Sequence, residues 1–176
     1  FRQGLDALAE RLGRGASDIA VDAGLYLDGM VTVHSEAFPD FNLLLSRISD
    51  RRHFEGVIQY DHDAVERLRI LNETNSLMMM TGHRSYLDFV VRVPFARSGF
   101  AREYRFAGAN TLIWPFHSVL HSAGIIFIRR GFRDPVYAFV LRQYVGWLTE
   151  RRANVLWAIE GGRTRTGKLV APKAGL

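Results

Sequence analysis

The sequence predicts an α/β fold: a largely parallel or mixed β-sheet flanked by helices and preceded by a small helical region. Three observations carry that expectation. Short runs rich in aliphatic and aromatic residues recur at 76–80, 104–107, 125–128 and 154–159. Between them lie stretches with apolar residues at helical spacing, about 10–18 residues each. A helix between successive strands is the usual way for a chain to return and pair in parallel. The 176 residues suffice for one domain with a sizeable core, and a hydrophobic fraction of 48% excludes wholesale disorder.

The elements follow in order. Leu5, Leu8 and Leu12 predict a helix over 4–12, and 41–48 reads as a second short apolar helix after Pro39. Gly13, Gly15, Gly24 and Gly29 are expected to interrupt the region between them. Asp61 or Asp63 caps a helix that carries Val65, Leu68 and Leu71 on one face. Residues 76–80 are expected to form a short buried strand, with Met78, Met79 and Met80 in the core rather than lining an acyl-chain pocket. A helix over 83–98, kinked at Pro94, leads to a strand at 104–107 and a helix over 111–123. After the strand at 125–128, Asp134 followed by Pro135 supplies an N-cap and a first-turn proline, opening a helix over 136–152. The last strand, 154–159, ends in the polar loop 160–168. These patterns divide the chain into a helical region over 1–70 and an α/β domain over 71–176.

Composition narrows the chemistry. With no cysteine there is no disulfide framework, cysteine nucleophile or thiolate metal site. Residues 1–123 hold 13 basic and 15 acidic side chains, net −2, whereas 124–176 hold 10 and 3, net +7. A late basic block predicts an anionic partner: phosphate ester, nucleic acid or anionic membrane surface. Residues 1–10 lack the basic-then-apolar layout of a secretory leader. The stretch 106–128 has no charged side chain over 23 residues, but Asn110, Pro115, His117, Ser118, His121 and Ser122 would need partners inside lipid. An amphipathic helix running into a buried strand is expected instead. Its apolar face (Leu112, Trp114, Phe116, Val119, Leu120) also suits a membrane interface.

Three clusters stand where predicted strands end, the position at which open α/β sheets collect ligands. The first contains His83 and Asp88. With His83 in the loop before its helix, the chain can fold Asp88 back beneath it, and a carboxylate on one imidazole nitrogen makes the other a better base. The second is Gly124 to Phe132, where Arg129 and Arg130 can clamp a phosphate and Gly131 lets the backbone approach. The third, Glu160 to Lys168, combines Gly161 and Gly162 with Arg163, Arg165 and Lys168. It is not a P-loop, because Lys168 is followed by Leu169 rather than Ser or Thr. His117 and His121 lie four apart, but no third ligand accompanies them, and they read as surface or core histidines rather than a metal pair. Arg151 and Arg152 read as cations at a helix C-terminus.

Taken together, His-Arg-Ser-Tyr-Leu-Asp at 83–88, Gly-Ile-Ile-Phe-Ile-Arg-Arg at 124–130 and Glu-Gly-Gly-Arg-Thr-Arg at 160–165 resemble the first three motif blocks of the glycerolipid acyltransferases. Order and spacing match as well. Ala107 to Asn110 and the tail Gly167, Lys168, Pro172, Lys173 are similar to the bacterial glycerol-3-phosphate acyltransferase branch. The clear resemblance covers residues 71–176, and 40–69 is more distantly similar to the helical region that precedes the catalytic domain in bacterial members.

The resemblance implies transfer of a fatty acyl group from acyl-CoA or acyl-carrier protein to the sn-1 hydroxyl of glycerol 3-phosphate, the first step of phospholipid synthesis. His83 would be the general base and Asp88 its orienting partner. Arg130 and Arg163 would hold the phosphate, Glu160 and Gly161 match the core of the third block, and Arg129 and Arg165 would assist. No cofactor or metal is implied beyond the acyl-CoA or acyl-carrier-protein co-substrate. The expected setting is the cytoplasmic face of the cell membrane, peripheral or monotopic, with an anionic lipid surface as partner and no nucleic acid. A fourth block, an apolar proline-containing strand, is expected beyond Leu176, which makes 71–176 an acyltransferase domain cut short at its C-terminal end. Dihydroxyacetone phosphate and lysophosphatidate are the alternative acceptors. A non-catalytic, basic, peripheral membrane-binding module is the alternative of another class.

Overall fold

The computed structural model describes residues 1–32, 61–84, 103–108, 121–122, 124–129, 131, 133–164 and 166–173. Among these residues the elements, in chain order, are α1 (Arg2–Leu12), α2 (Ala16–Met30), α3 (His62–Thr74), β1 (Met78–Thr81), β2 (Glu103–Gly108), β3 (Ile125–Ile128), α4 (Pro135–Glu150) and β4 (Asn154–Ala158). The four strands form one sheet in the order β1-β4-β2-β3, with every neighbouring pair parallel. The expected α/β class is what the structure has, and its described sheet is parallel rather than mixed.

Local chemistry explains three of the helix ends. Gly13 closes α1 in the left-handed conformation (φ 62°), which a residue without Cβ adopts at little cost. Asp61 caps α3, its side chain accepting from the Ala64 N–H at 2.9 Å. Asp134 caps α4, accepting from the Val136 N–H at 2.7 Å, and Pro135 occupies the first turn, where no intrahelical donor is lost. Arg69 bridges Glu66 and Glu73 on the outer face of α3, each at 2.8 Å, exposed pairs that contribute little to stability.

The core lies between the sheet and the N-terminal helices. Val136, Tyr137, Val140, Leu141, Tyr144 and Leu148 form one stripe of α4, and Ile19, Ala23 and Met30 form the stripe of α2 that meets it. Leu5, Leu8 and Ala9 of α1 join them, with Ile126 and Val155 from the sheet. Each large apolar side chain removed from water there contributes about 1.5–3 kcal/mol. Successive strand residues alternate faces, so Arg105, Phe127 and Leu156, all buried, lie on the opposite side of the sheet. Arg105 pairs there with Glu103, two positions away on the same strand face.

Three local expectations change. Gly24 and Gly29 lie inside α2 rather than interrupting it; packing of Ile19, Ala23 and Met30 against α4 outweighs the roughly 1 kcal/mol glycine penalty. The first strand starts at Met78, and Met78 and Met80 are 54% and 57% exposed, so they are not core. Alternation puts them on the face opposite Met79, and three consecutive residues of a strand cannot share one side. On α3 only Val65 is buried, while Leu71 is 52% exposed. The helices expected over 41–48, 83–98 and 111–123 lie wholly or largely outside the described residues. Among the described residues no helix is long and apolar enough to cross a membrane.

Candidate active site

Strand register brings the clusters to one level. Met79 pairs with Leu156, Leu156 with Arg105, and Arg105 with Ile125, so these four form one rank across the sheet. Four positions beyond that rank stand His83 after β1, Glu160 after β4 and Arg129 after β3. All strands being parallel, the three residues leave the same edge of the sheet, its carboxyl edge. Neighbouring strands are about 4.8 Å apart, so His83 and Glu160 emerge side by side, with Arg129 roughly 10 Å further along.

Backbone bonds tie the first and third clusters together. The Ile159 N–H donates to the Thr81 carbonyl at 3.1 Å, and the Thr164 N–H donates to the His83 carbonyl at 2.9 Å. The turn at 160–164 is therefore clamped to the segment that carries the histidine. Glu160 is buried, at 4% exposure, and its carboxylate lies alongside Gly82: a Cβ there would come within 3.7 Å of Glu160 Oε1. Glu160 Oε2 and Thr164 Oγ1 are buried and have no hydrogen-bond partner among the described residues. Two unsatisfied polar atoms beside a half-buried histidine mark a place suited to a polar ligand.

Gly161 is required by the turn. Its φ is 67°, and a Cβ at this position would stand 2.8 Å from Lys173 Cδ. The Lys173 N–H reaches back to the Ile159 carbonyl at 2.8 Å, which lays the 168–173 tail over the turn. Arg163 is exposed at the rim.

The second cluster is held by side chains from two helices. The Arg129 N–H donates to Tyr137 Oη of α4 at 2.7 Å, and the Arg129 guanidinium lies 5.6 Å above the centre of the Tyr26 ring of α2. Tyr26 Oη donates to Asp134 Oδ2 at 2.7 Å, while Oδ1 of the same carboxylate caps α4. The bond to Asp134 is the main reason that Tyr26 is pushed up to about 12. Burial tends to raise the Asp134 pKa, but the bonds from Tyr26 and from the Val136 and Tyr137 backbone outweigh it and hold the group below 3.8. Burial raises the Tyr137 phenol.

Of the expected site residues, the structure brings His83, Glu160, Gly161, Arg163 and Arg129 to the carboxyl edge; Asp88, Arg130 and Arg165 lie outside the described residues. Tyr26 and Tyr137 were not expected at the site, and Thr164 lies inside the third cluster without an assigned role of its own. Only the Asp134-Pro135 cap had a sequence signal nearby; Tyr26 meets Asp134 across 108 positions and leaves none. Among the described residues no three His, Cys, Asp or Glu side chains gather to hold a metal ion.

Comparison with known proteins shows the family. Residues 62–176 match the family described as Acyltransferase. The chain belongs to that family. It is 36% identical over 182 aligned residues to the protein named "Putative acyltransferase plsB1" of Mycobacterium bovis, and equally so to the protein of that name in Mycobacterium tuberculosis. All of this chain aligns, but it spans only 28% of the length of each of these relatives.

Proposed function

We propose that this chain carries catalytic residues of an enzyme that transfers a fatty acyl group from an acyl-CoA or acyl-carrier-protein thioester to the sn-1 hydroxyl of glycerol 3-phosphate. The observation that carries the reading is that His83, Glu160 and Arg129 each follow the carboxyl end of a strand of one parallel sheet, which brings an imidazole, a carboxylate and a guanidinium to the same edge. An alcohol is a weak nucleophile at neutral pH, so a base must take its proton as it attacks. His83 takes the proton, the C–O bond forms and the C–S bond breaks. The proton then passes to the departing thiolate. Asp88 orients the imidazole, Arg130 and Arg163 hold the phosphate with Arg129 and Arg165 assisting, and Glu160 and Gly161 shape the acceptor side. The thioester already carries a good leaving group, so this route needs neither a covalent enzyme intermediate nor a cofactor. We place the enzyme at the cytoplasmic membrane face, where the basic excess of 124–176 beyond the phosphate site meets anionic lipid.

A radiolabelled acyl-transfer assay on the full-length chain, offered glycerol 3-phosphate, dihydroxyacetone phosphate and lysophosphatidate, tests the reading. Preference for glycerol 3-phosphate is expected, and transfer confined to lysophosphatidate would overturn the acceptor assignment. His83→Ala should lower the rate by about 10²–10⁴ while liposome binding persists. Unchanged transfer would remove His83 as base and favour a non-catalytic membrane-binding module. Arg130→Ala should raise KM for the acceptor more than for the acyl donor.

A further inference from the structure

Residues 1–32 lie outside the 62–176 match to the family, yet α2 reaches the second cluster. Tyr26 makes two contacts there at once. Its ring lies beneath the exposed Arg129 guanidinium, 5.6 Å from its centre, and its hydroxyl donates to Asp134 Oδ2 at 2.7 Å. Asp134 cannot yield easily, because its other oxygen accepts from the Val136 N–H at 2.7 Å at the start of α4. Tyr137, one residue further along, meets the Tyr26 ring edge-on with centres 5.4 Å apart and accepts the Arg129 N–H. The arginine is thus held at its backbone by one tyrosine and at its guanidinium by the other, and the two tyrosines are braced on each other.

A guanidinium resting on a ring still presents its N–H donors at its edge. Arginine has several rotatable bonds, and a side chain already held loses less freedom when an anion binds. We propose that Tyr26 is a positioning residue for the acceptor's phosphate, acting through Arg129, so that the N-terminal helical region completes the acceptor site. This inference rests on the proposed acyl transfer to a phosphorylated acceptor and extends it to a residue outside the family match.

The test is steady-state kinetics on the full-length chain, with Tyr26→Leu, Tyr26→Phe, Arg129→Ala and the Tyr26→Leu/Arg129→Ala double variant. Tyr26→Leu should raise KM for the phosphorylated acceptor about three- to tenfold, with kcat and the acyl-donor KM within twofold of wild type. Tyr26→Phe keeps the ring and should recover most of the affinity. In the Arg129→Ala background, Tyr26→Leu should have no further effect on acceptor KM, because the tyrosine acts through that arginine. Unchanged acceptor KM in Tyr26→Leu overturns the proposal, as does an equal rise in both KM values or an additive double variant. If the wild-type enzyme acylates only acceptors without phosphate, the proposed function and this inference both fail. If it acylates glycerol 3-phosphate while the Tyr26 variants match wild type, only the inference fails.

Discussion

Asn72 of α3 and Asn154 at the start of β4 exchange two side-chain hydrogen bonds, Nδ2 to Oδ1 at 2.8 Å one way and 2.9 Å the other. Asn154 Oδ1 also accepts the Leu77 N–H at 2.8 Å, just ahead of β1. One asparagine, only 2% exposed, therefore fastens α3 to both strands that deliver His83 and Glu160. Asn154→Ala removes the acceptor of the Leu77 N–H and both bonds to the Asn72 amide, whose Nδ2 keeps its bond to the Asn75 carbonyl at 2.9 Å. We expect it to lower unfolding stability by about 2–4 kcal/mol, with Asn72→Ala costing less because Leu77 remains bonded. Urea unfolding of both variants measures the difference, and equal losses would contradict the central role of Asn154.

Gly161→Ala meets two obstacles, a positive φ of 67° and Lys173 Cδ at 2.8 Å from the new Cβ. Left-handed backbone costs an alanine about 1–2 kcal/mol, before the lysine has moved. Because the next residues clamp the His83 carbonyl, activity should fall more than global stability does. Acyl-transfer rate and urea midpoint measured on the same preparation separate the two effects.

Thr164→Val removes a buried hydroxyl that has no hydrogen-bond partner among the described residues, and leaves the backbone bond to His83 in place. Relief of an unsatisfied polar group should leave the substrate-free protein as stable as wild type or up to about 1 kcal/mol more so. A clear loss of stability by thermal unfolding would show that the hydroxyl is satisfied in solution.

Tyr26 and Asp134 make a pH prediction. The Tyr26 phenol, raised from 10.0 to about 12 by its bond to Asp134, stabilises the fold fully below pH 10 and loses that contribution as pH rises through 12. Asp134, held below 3.8, contributes above that pH and loses its contribution as pH falls below it. Tyr26→Phe should delete one late-titrating tyrosine from the ultraviolet titration and shift the acid limb of stability to higher pH. An unaltered titration would mean that the Tyr26–Asp134 bond does not hold in solution.

Much of the architecture was legible because its causes are local. The cap and proline at Asp134-Pro135 marked the start of α4, and the four apolar residues of β3 stood out at their full length. Capping, helical spacing and strand runs act over a few positions, so a single sequence displays them. The exposed Met78 and Met80, and the glycines within α2, were illegible for the opposite reason: each depends on what packs against the segment from elsewhere.

By itself the sequence determined an α/β chain with a late basic excess and three polar clusters at strand ends, whose motifs point to acyl transfer. Tertiary structure alone decided that β4 inserts between β1 and β2, so that Glu160 emerges beside His83 although 77 positions separate them. It also decided that Tyr26, from a helix before the family match, supports Arg129. Strand order and helix docking are settled by burial of the shared core and by backbone pairing between distant segments, neither of which any stretch of the chain encodes alone.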